Sequence, residues 1–198
     1  TLVVMDRVLL APSQLSLTRQ QSLMNRWTRY CASVDCPAHQ LLFRHGQKMG
    51  PNAFALPGGV MVLTDELVKL AQQDEEIVAV LAHELGHVHG RHGVRMVVQS
   101  MGAAAVLLAV TGDFGNVTDL ASALPSLLLQ TGYSRNMERE ADAYAIDSLQ
   151  AACVEPRHLA TMLGKLDAKA SDTGWLDSHP GTQERMQLFT AARGCHQP

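Results

Sequence analysis

His83, Glu84 and His87 stand as His-Glu-x-x-His within Ala82-His83-Glu84-Leu85-Gly86-His87-Val88. On an α-helix, positions four apart share a face, so the imidazoles of His83 and His87 can close on one ion. Glu84 follows the first of them, where its carboxylate reaches water polarised by the ion without binding the ion itself. Two imidazoles on zinc and a carboxylate that takes a proton from water are the parts of a zinc-dependent peptide hydrolase. With 9 histidines in 198 residues, composition alone yields about 0.02 such matches. The competing reading is a helix with two surface histidines.

The motif must sit on a helix that buries itself. Ile77, Val80, Leu81, Leu85 and Val88 recur at helical spacing. Asp74 is placed to cap, with Glu75 and Glu76 in the first turn. A catalytic zinc site needs a third protein ligand and an open position. His87 is followed by Val88-His89-Gly90-Arg91-His92, which excludes the H-x-x-G-x-x-H continuation of metzincins. A later helix offers Glu138 and Asp142, four apart on one face. Glu138 can bind the metal while Asp142 accepts the free N–H of a ligand histidine. The alternative is a solvated acidic face, against which Ala141, Ala143, Ala145 and Ile146 argue for a packed helix. Glu140 reads as a surface charge, and His89 and His92 as helix-end histidines or an adventitious second metal site.

The remaining elements frame this pair of helices. Leu17 to Tyr30 reads as an amphipathic helix, and Gln40 to Arg44 as a strand. Asn52 to Thr64 reads as two short strands hinged at Pro57-Gly58-Gly59, with Thr64 capping a helix to about Gln72. Residues 94–111 form an apolar helix, and Leu120 to Leu129 a second apolar stretch broken by Pro125. Both are short of the roughly 20 apolar residues of a membrane span. A buried hairpin is the simpler reading, a membrane-surface contact or a cover over the site the alternative. Residues 1–12 read as a strand or a linker remnant, and the start at Thr1 as a mature or trimmed chain.

The fold class expected is α+β and mostly helical, one domain over residues 1–198 with a small sheet beside the metal helix. Net charge is −3, which gives no footing for nucleic acid. The four cysteines contain no C-x-x-C pair. Cys31 with Cys36 and Cys153 with Cys195 make a sensible disulfide pairing in an oxidising compartment, and four buried thiols the alternative.

His83-Glu84-Leu85-Gly86-His87, Ser134-Arg135-x-x-Glu138-x-x-Ala141-Asp142, and His179-Pro180 with Arg185 together resemble the three motifs of the gluzincin metallopeptidases related to HtpX and the CaaX prenyl protease. Asn52-Ala53-Phe54-Ala55 resembles that family's segment before the metal helix. Without a clear transmembrane helix, the chain resembles the soluble BepA/LoiP-like peptidases of the bacterial envelope more than HtpX itself. The resemblance implies a zincin fold and one Zn2+ on His83, His87 and Glu138, with Glu84 as general base. Asp142 would orient a ligand histidine, and Arg185 would anchor the His179 segment. His179 would lie over the metal as an oxyanion donor or as a plug of a latent, chaperone-like state. It also implies a periplasmic endopeptidase taking unfolded or misassembled polypeptides. Such a chain would add as a strand beside Asn52–Leu56, the stretch that holds Asn52, Ala53, Phe54 and Ala55, or beside Val60–Leu63. Outer-membrane-complex contact through the apolar segment 94–130 belongs to the same expectation.

Overall fold

The computed structural model describes residues 6, 9–111, 132–169, 175, 178–180 and 182–195. The Leu120–Leu129 stretch, most of residues 1–8 and His196 lie outside them. Helix α1 (Leu17–Ser33) starts where the Ser16 hydroxyl accepts from the Arg19 amide, and it buries Leu23, Trp27 and Tyr30 along one stripe. The sheet holds β1 (Ala11–Pro12), β2 (Gln40–His45), β3 (Ala53–Leu56) and β4 (Val60–Thr64) in the order β1-β2-β4-β3. The β2–β4 pair is parallel and the other two pairs are antiparallel. Gly58 and Gly59, at φ +94° and +84°, make the β3–β4 turn that the Pro-Gly-Gly hinge predicts, because a side chain is strained there. β3 is left at the sheet edge, whereas β4 is paired on both sides, so an added strand beside Val60–Leu63 is excluded.

Thr64 ends β4 and caps α2 (Asp65–Leu70) with its hydroxyl, which also takes the Asn52 amide. Helix α3 (Asp74–His89) follows and is buried without a break from Glu76 to His87. A helix buried on all sides lies in the centre of a core, and here it carries Glu76, His83, Glu84 and His87 inside with it. Asp74 is not the cap: Gln73 holds that position without a side-chain bond, and Asp74 pairs with Arg19 of α1. Helix α4 is His92–Thr111, α5 is Arg135–Ala151, α6 is Arg157–Asp167 and α7 is Thr182–Ala191. On α6, Lys165 reaches both oxygens of the buried Glu76 carboxylate at 2.7 Å. The core runs continuously from α1 through β4 and α3 to α5, α6, Trp175 and Phe189. The architecture is the mostly helical α+β arrangement expected, with its small sheet against the metal helix.

Both expected disulfides form, Cys31–Cys36 and Cys153–Cys195. The second ties the end of α5 to the segment after α7. Among the described residues, no helix is long and apolar enough to cross a membrane. Val94, Val98 and Met101 of α4 are exposed.

Candidate metal centre

The site is made by the crossing of α3 and α5. Gly86 lies at the crossing, and a Cβ there would stand 2.8 Å from both Cα and the carbonyl oxygen of Ala141. Only a residue without a side chain lets the two helices approach so closely. On α5, the Ser134 hydroxyl caps the Met137 amide, which starts the helix so that Glu138 falls in its first turn. Met137, Ala141, Ala145 and Leu149 bury the same face. Glu138 and Asp142 therefore look across at His83 and His87 at close range.

His83 Nε2 and His87 Nε2 are 3.0 Å apart. His179 Nδ1 is 3.2 Å from His83 Nε2 and 3.0 Å from Glu138 Oε1. Glu138 Oε1 is 3.3 Å from His87 Nε2. Donor atoms of His83, His87, Glu138 and His179 all lie within 4.8 Å of one another, and all four residues are buried. Zinc with bonds of about 2.05 Å in a tetrahedron holds its donors about 3.3 Å apart. The four named separations, 3.0, 3.2, 3.0 and 3.3 Å, lie near that figure, and three imidazoles with one carboxylate are a donor set zinc accepts. Such a set without a cation would bury converging acceptor atoms at a high electrostatic cost. The residues fit the ion.

The atoms facing away from this focus are also engaged. His83 Nδ1 is 2.9 Å from Asp142 Oδ1. Arg185 holds Asp142 with two bonds of 2.8 Å, from Nε to Oδ2 and from Nη2 to Oδ1. Its Nη1 stands 2.8 Å from Glu138 Oε2, a charge contact without hydrogen-bond orientation. Glu84, on α3 beside His83, is fully buried. Its Oε1 accepts from Trp175 Nε1 at 3.3 Å and lies 3.4 Å from His179 Nε2, while Oε2 has no hydrogen-bond partner among the described residues.

Burial pushes the Glu84 carboxyl above its usual range, partly offset by His179 and His83. Burial also holds His87 well below the ordinary imidazole value, against the pull of Glu138. Burial disfavours charge on Glu138 too, but His179 beside it and hydrogen bonds from His179 and His87 leave that carboxyl far below its usual range. Asp142 is lowered in the same way, with burial outweighed by His83 and Arg185. The cluster is built to carry negative charge on Glu138 at the focus and on Asp142 behind His83, which suits a cation at the focus.

The structure brings together every residue that the three motifs nominate. His83, Glu84, His87, Glu138, Asp142, His179 and Arg185 meet at one point. Asn52–Ala55 adjoins it through β3, whose Ala55 carbonyl accepts from the Tyr133 hydroxyl at 3.2 Å. Asn52 itself is buried, with its main chain bonded to Thr64.

Three neighbours were not singled out for this site. Trp175 stacks on His179, centroids 4.3 Å apart, and lies under the Arg185 guanidinium. Tyr133 stacks on His87 at 3.7 Å, and its amide bonds the Ser178 carbonyl. His92, fully buried, places Nδ1 2.9 Å from His87 Nδ1 and Nε2 3.0 Å from Glu140 Oε2. It opens α4 rather than closing α3, and Glu140, half exposed, is a surface charge that pairs with His92 and Arg95. The one signal available was the scarcity of aromatics, which makes a lone Trp175 near His179 worth noting.

The model of peptidase family M48 matches residues 17–192. The chain belongs to peptidase family M48. Its domain is a zinc metallopeptidase domain. It is similar to mitochondrial metalloendopeptidase OMA1 of Schizosaccharomyces pombe, 28% identical over 145 residues, covering 69% of this chain and 42% of the relative. It is similar to metalloprotease LoiP of Escherichia coli, 33% identical over 143 residues, covering 69% and 56%. The beta-barrel assembly-enhancing protease of Escherichia coli is 28% identical over 155 residues, covering 73% and 31%. In each case the chain spans less than two thirds of the relative's length.

Proposed function

We propose that this protein is a zinc-dependent endopeptidase, a single domain over residues 1–198 acting in the bacterial envelope on unfolded or misassembled polypeptides. One observation carries the reading: four buried donor atoms converge at zinc-like separations beside a buried carboxylate that is not among them. His83, His87 and Glu138 would hold the ion. Zinc, when bound, supplies Lewis acidity to a carbonyl and to water.

The chain's own groups do the rest. Trp175 fixes Oε1 of Glu84 and leaves Oε2 unengaged, so Glu84 can take a proton from water as general base and return it to the departing amine. Asp142 keeps His83 in the tautomer with Nε2 free, and Arg185 keeps Asp142 charged. Stacking on Trp175 holds the His179 ring beside Glu84, where Nε2 can donate to a developing oxyanion. The polypeptide would pair with the β3 edge at Ala53 and Ala55, where reading main chain more than side chains suits unfolded substrates.

A second reading has its own observation. His179 is one of the four converging donors, so it can fill the position a substrate carbonyl needs and hold the enzyme latent. The two disulfides suit an oxidising compartment such as the periplasm, and the exposed Val94, Val98 and Met101 suit contact with a membrane surface or an outer-membrane complex.

Zinc content and casein cleavage, measured together on the parent, Glu84→Gln and His179→Ala, test these assignments. Glu84→Gln should keep the metal and lose cleavage. His179→Ala should lose activity if the ring is a donor and gain it if the ring is a plug. Metal without cleavage in any form would leave only a binding module. A protein without metal would remove the reading.

A further inference from the structure

His87 is oriented differently from His83. Its Nδ1 meets no carboxylate but a second imidazole, His92, which in turn meets Glu140. Glu140 Oε2 also accepts from Arg95 Nη1 at 2.6 Å. Only one assignment of protons gives each contact a donor and an acceptor while leaving a lone pair on His87 Nε2. His87 Nδ1–H donates to His92 Nδ1, His92 Nε2–H donates to Glu140, and Arg95 donates to the same oxygen. The reverse direction would put the proton of His87 on Nε2, facing the other donors.

The backbone is shaped to place this ring. Arg91, between α3 and α4, takes φ +50°, a conformation that strains a residue with a side chain. That turn folds His92 back under His87 instead of continuing the helix. Gly90 leaves the room: a Cβ there would fall onto the His92 ring, at Nε2. Tyr133 closes the other side, 6.1 Å from the His92 ring and stacked on His87. A strained turn, a missing side chain and a fully buried imidazole all serve one contact.

We propose that His92 and Glu140 are positioning residues that hold the His87 imidazole in the tautomer and orientation a divalent cation needs, so that metal affinity depends on a hydrogen-bond chain ending at the half-exposed Glu140–Arg95 pair. The proposal rests on the reading of His83, His87 and Glu138 as the metal ligands. Removing an orienting partner of this kind weakens metal binding by about 10- to 100-fold.

The test is the zinc dissociation constant of the full chain, measured by competition with a chromophoric chelator. The parent is compared with His92→Phe, Glu140→Ala and Glu140→Gln. Thermal melts of the metal-free forms report the fold, and the visible spectrum of the cobalt-loaded forms reports ligand geometry. His92→Phe should weaken binding by about 10-fold or more and change the cobalt spectrum. Glu140→Ala, at a half-exposed position that leaves the core intact, should weaken it by a smaller factor, about threefold. Glu140→Gln keeps the acceptor and should stay within about twofold of the parent, with the parent's cobalt spectrum. Affinity unchanged in both His92→Phe and Glu140→Ala overturns the inference. So does a loss in Glu140→Ala that glutamine fails to restore. If His92→Phe does not fold, the Glu140 pair decides alone. A parent that binds no zinc overturns the metal reading and this inference with it, whereas unchanged variants of a zinc-binding parent overturn only the inference.

Discussion

The two ligand histidines of α3 are backed by arms of different construction. Behind His83, Asp142 receives the ring directly, and Arg185 binds Asp142 through both carboxylate oxygens. All three are buried. Behind His87, a neutral ring is interposed and the arm runs outward, so its last pair, Glu140 and Arg95, has side chains 50% and 43% exposed. A buried pair that loses a partner strands a charge in a medium that cannot solvate it. An exposed pair that loses a partner is solvated by water. The inner arm is therefore part of the stability of the fold, while the outer arm tunes one ligand at little cost to the fold.

Arg185→Met is the severest way to break that contrast. It strands Asp142 and Glu138 as buried carboxylates, and the metal-free protein should lose about 3–5 kcal/mol in denaturant unfolding. A loss below about 1 kcal/mol would erase the distinction between the arms. Gly86→Ala attacks what both arms share, the distance between α3 and α5. Its methyl meets the Ala141 main chain, so stability should fall by about 1–3 kcal/mol and zinc binding should weaken with it. A variant as stable as the parent would show that the helices can part without consequence.

Tyr133→Phe sharpens the outer side. The ring on His87 stays while the bond to Ala55 is lost, and stability should drop by about 1 kcal/mol with the zinc constant unchanged. A weakened zinc constant would mean that β3, and not only His92, sets the orientation of His87. Arg95→Ala should be the mildest. Its effect on stability should lie within about 0.5 kcal/mol and shrink further in 1 M salt, since the pair it breaks is screened. A larger, salt-independent loss would place that pair with the buried arm.

Much of the site was legible because helix geometry converts spacing into direction. His83 with His87, and Glu138 with Asp142, are four apart, and that alone puts each pair on one face. Gly58 and Gly59 announced their turn for an equally local reason, as did Thr64 its cap. The disulfide partners were one of two readings that spacing and number left open, and the structure forms both bonds. Asp74 shows the limit of such reasoning, because the residue that looks like a cap is drawn into an ion pair with Arg19 of a distant helix.

His92 could not be placed by the same rule. Five residues after His87 on a continuing helix, its side chain would point well away from the ligand face. The left-handed turn at Arg91 reverses that direction, and nothing in the residue type announces it. Trp175 and Tyr133 come from stretches of sequence with no periodicity to read, and they join the site by stacking on His179 and His87. The sequence by itself determined which ligands are available and which faces they share, since those depend on contacts within one helix turn. The closeness of α3 to α5, the partners behind each imidazole and the oxygen of Glu84 left unengaged were decided by the tertiary structure. Apart from His92, which a backbone turn brings under His87, those properties depend on groups distant in sequence, such as Glu84 with Trp175 and Asp142 with Arg185, whose meeting is settled by packing and charge burial across the whole core.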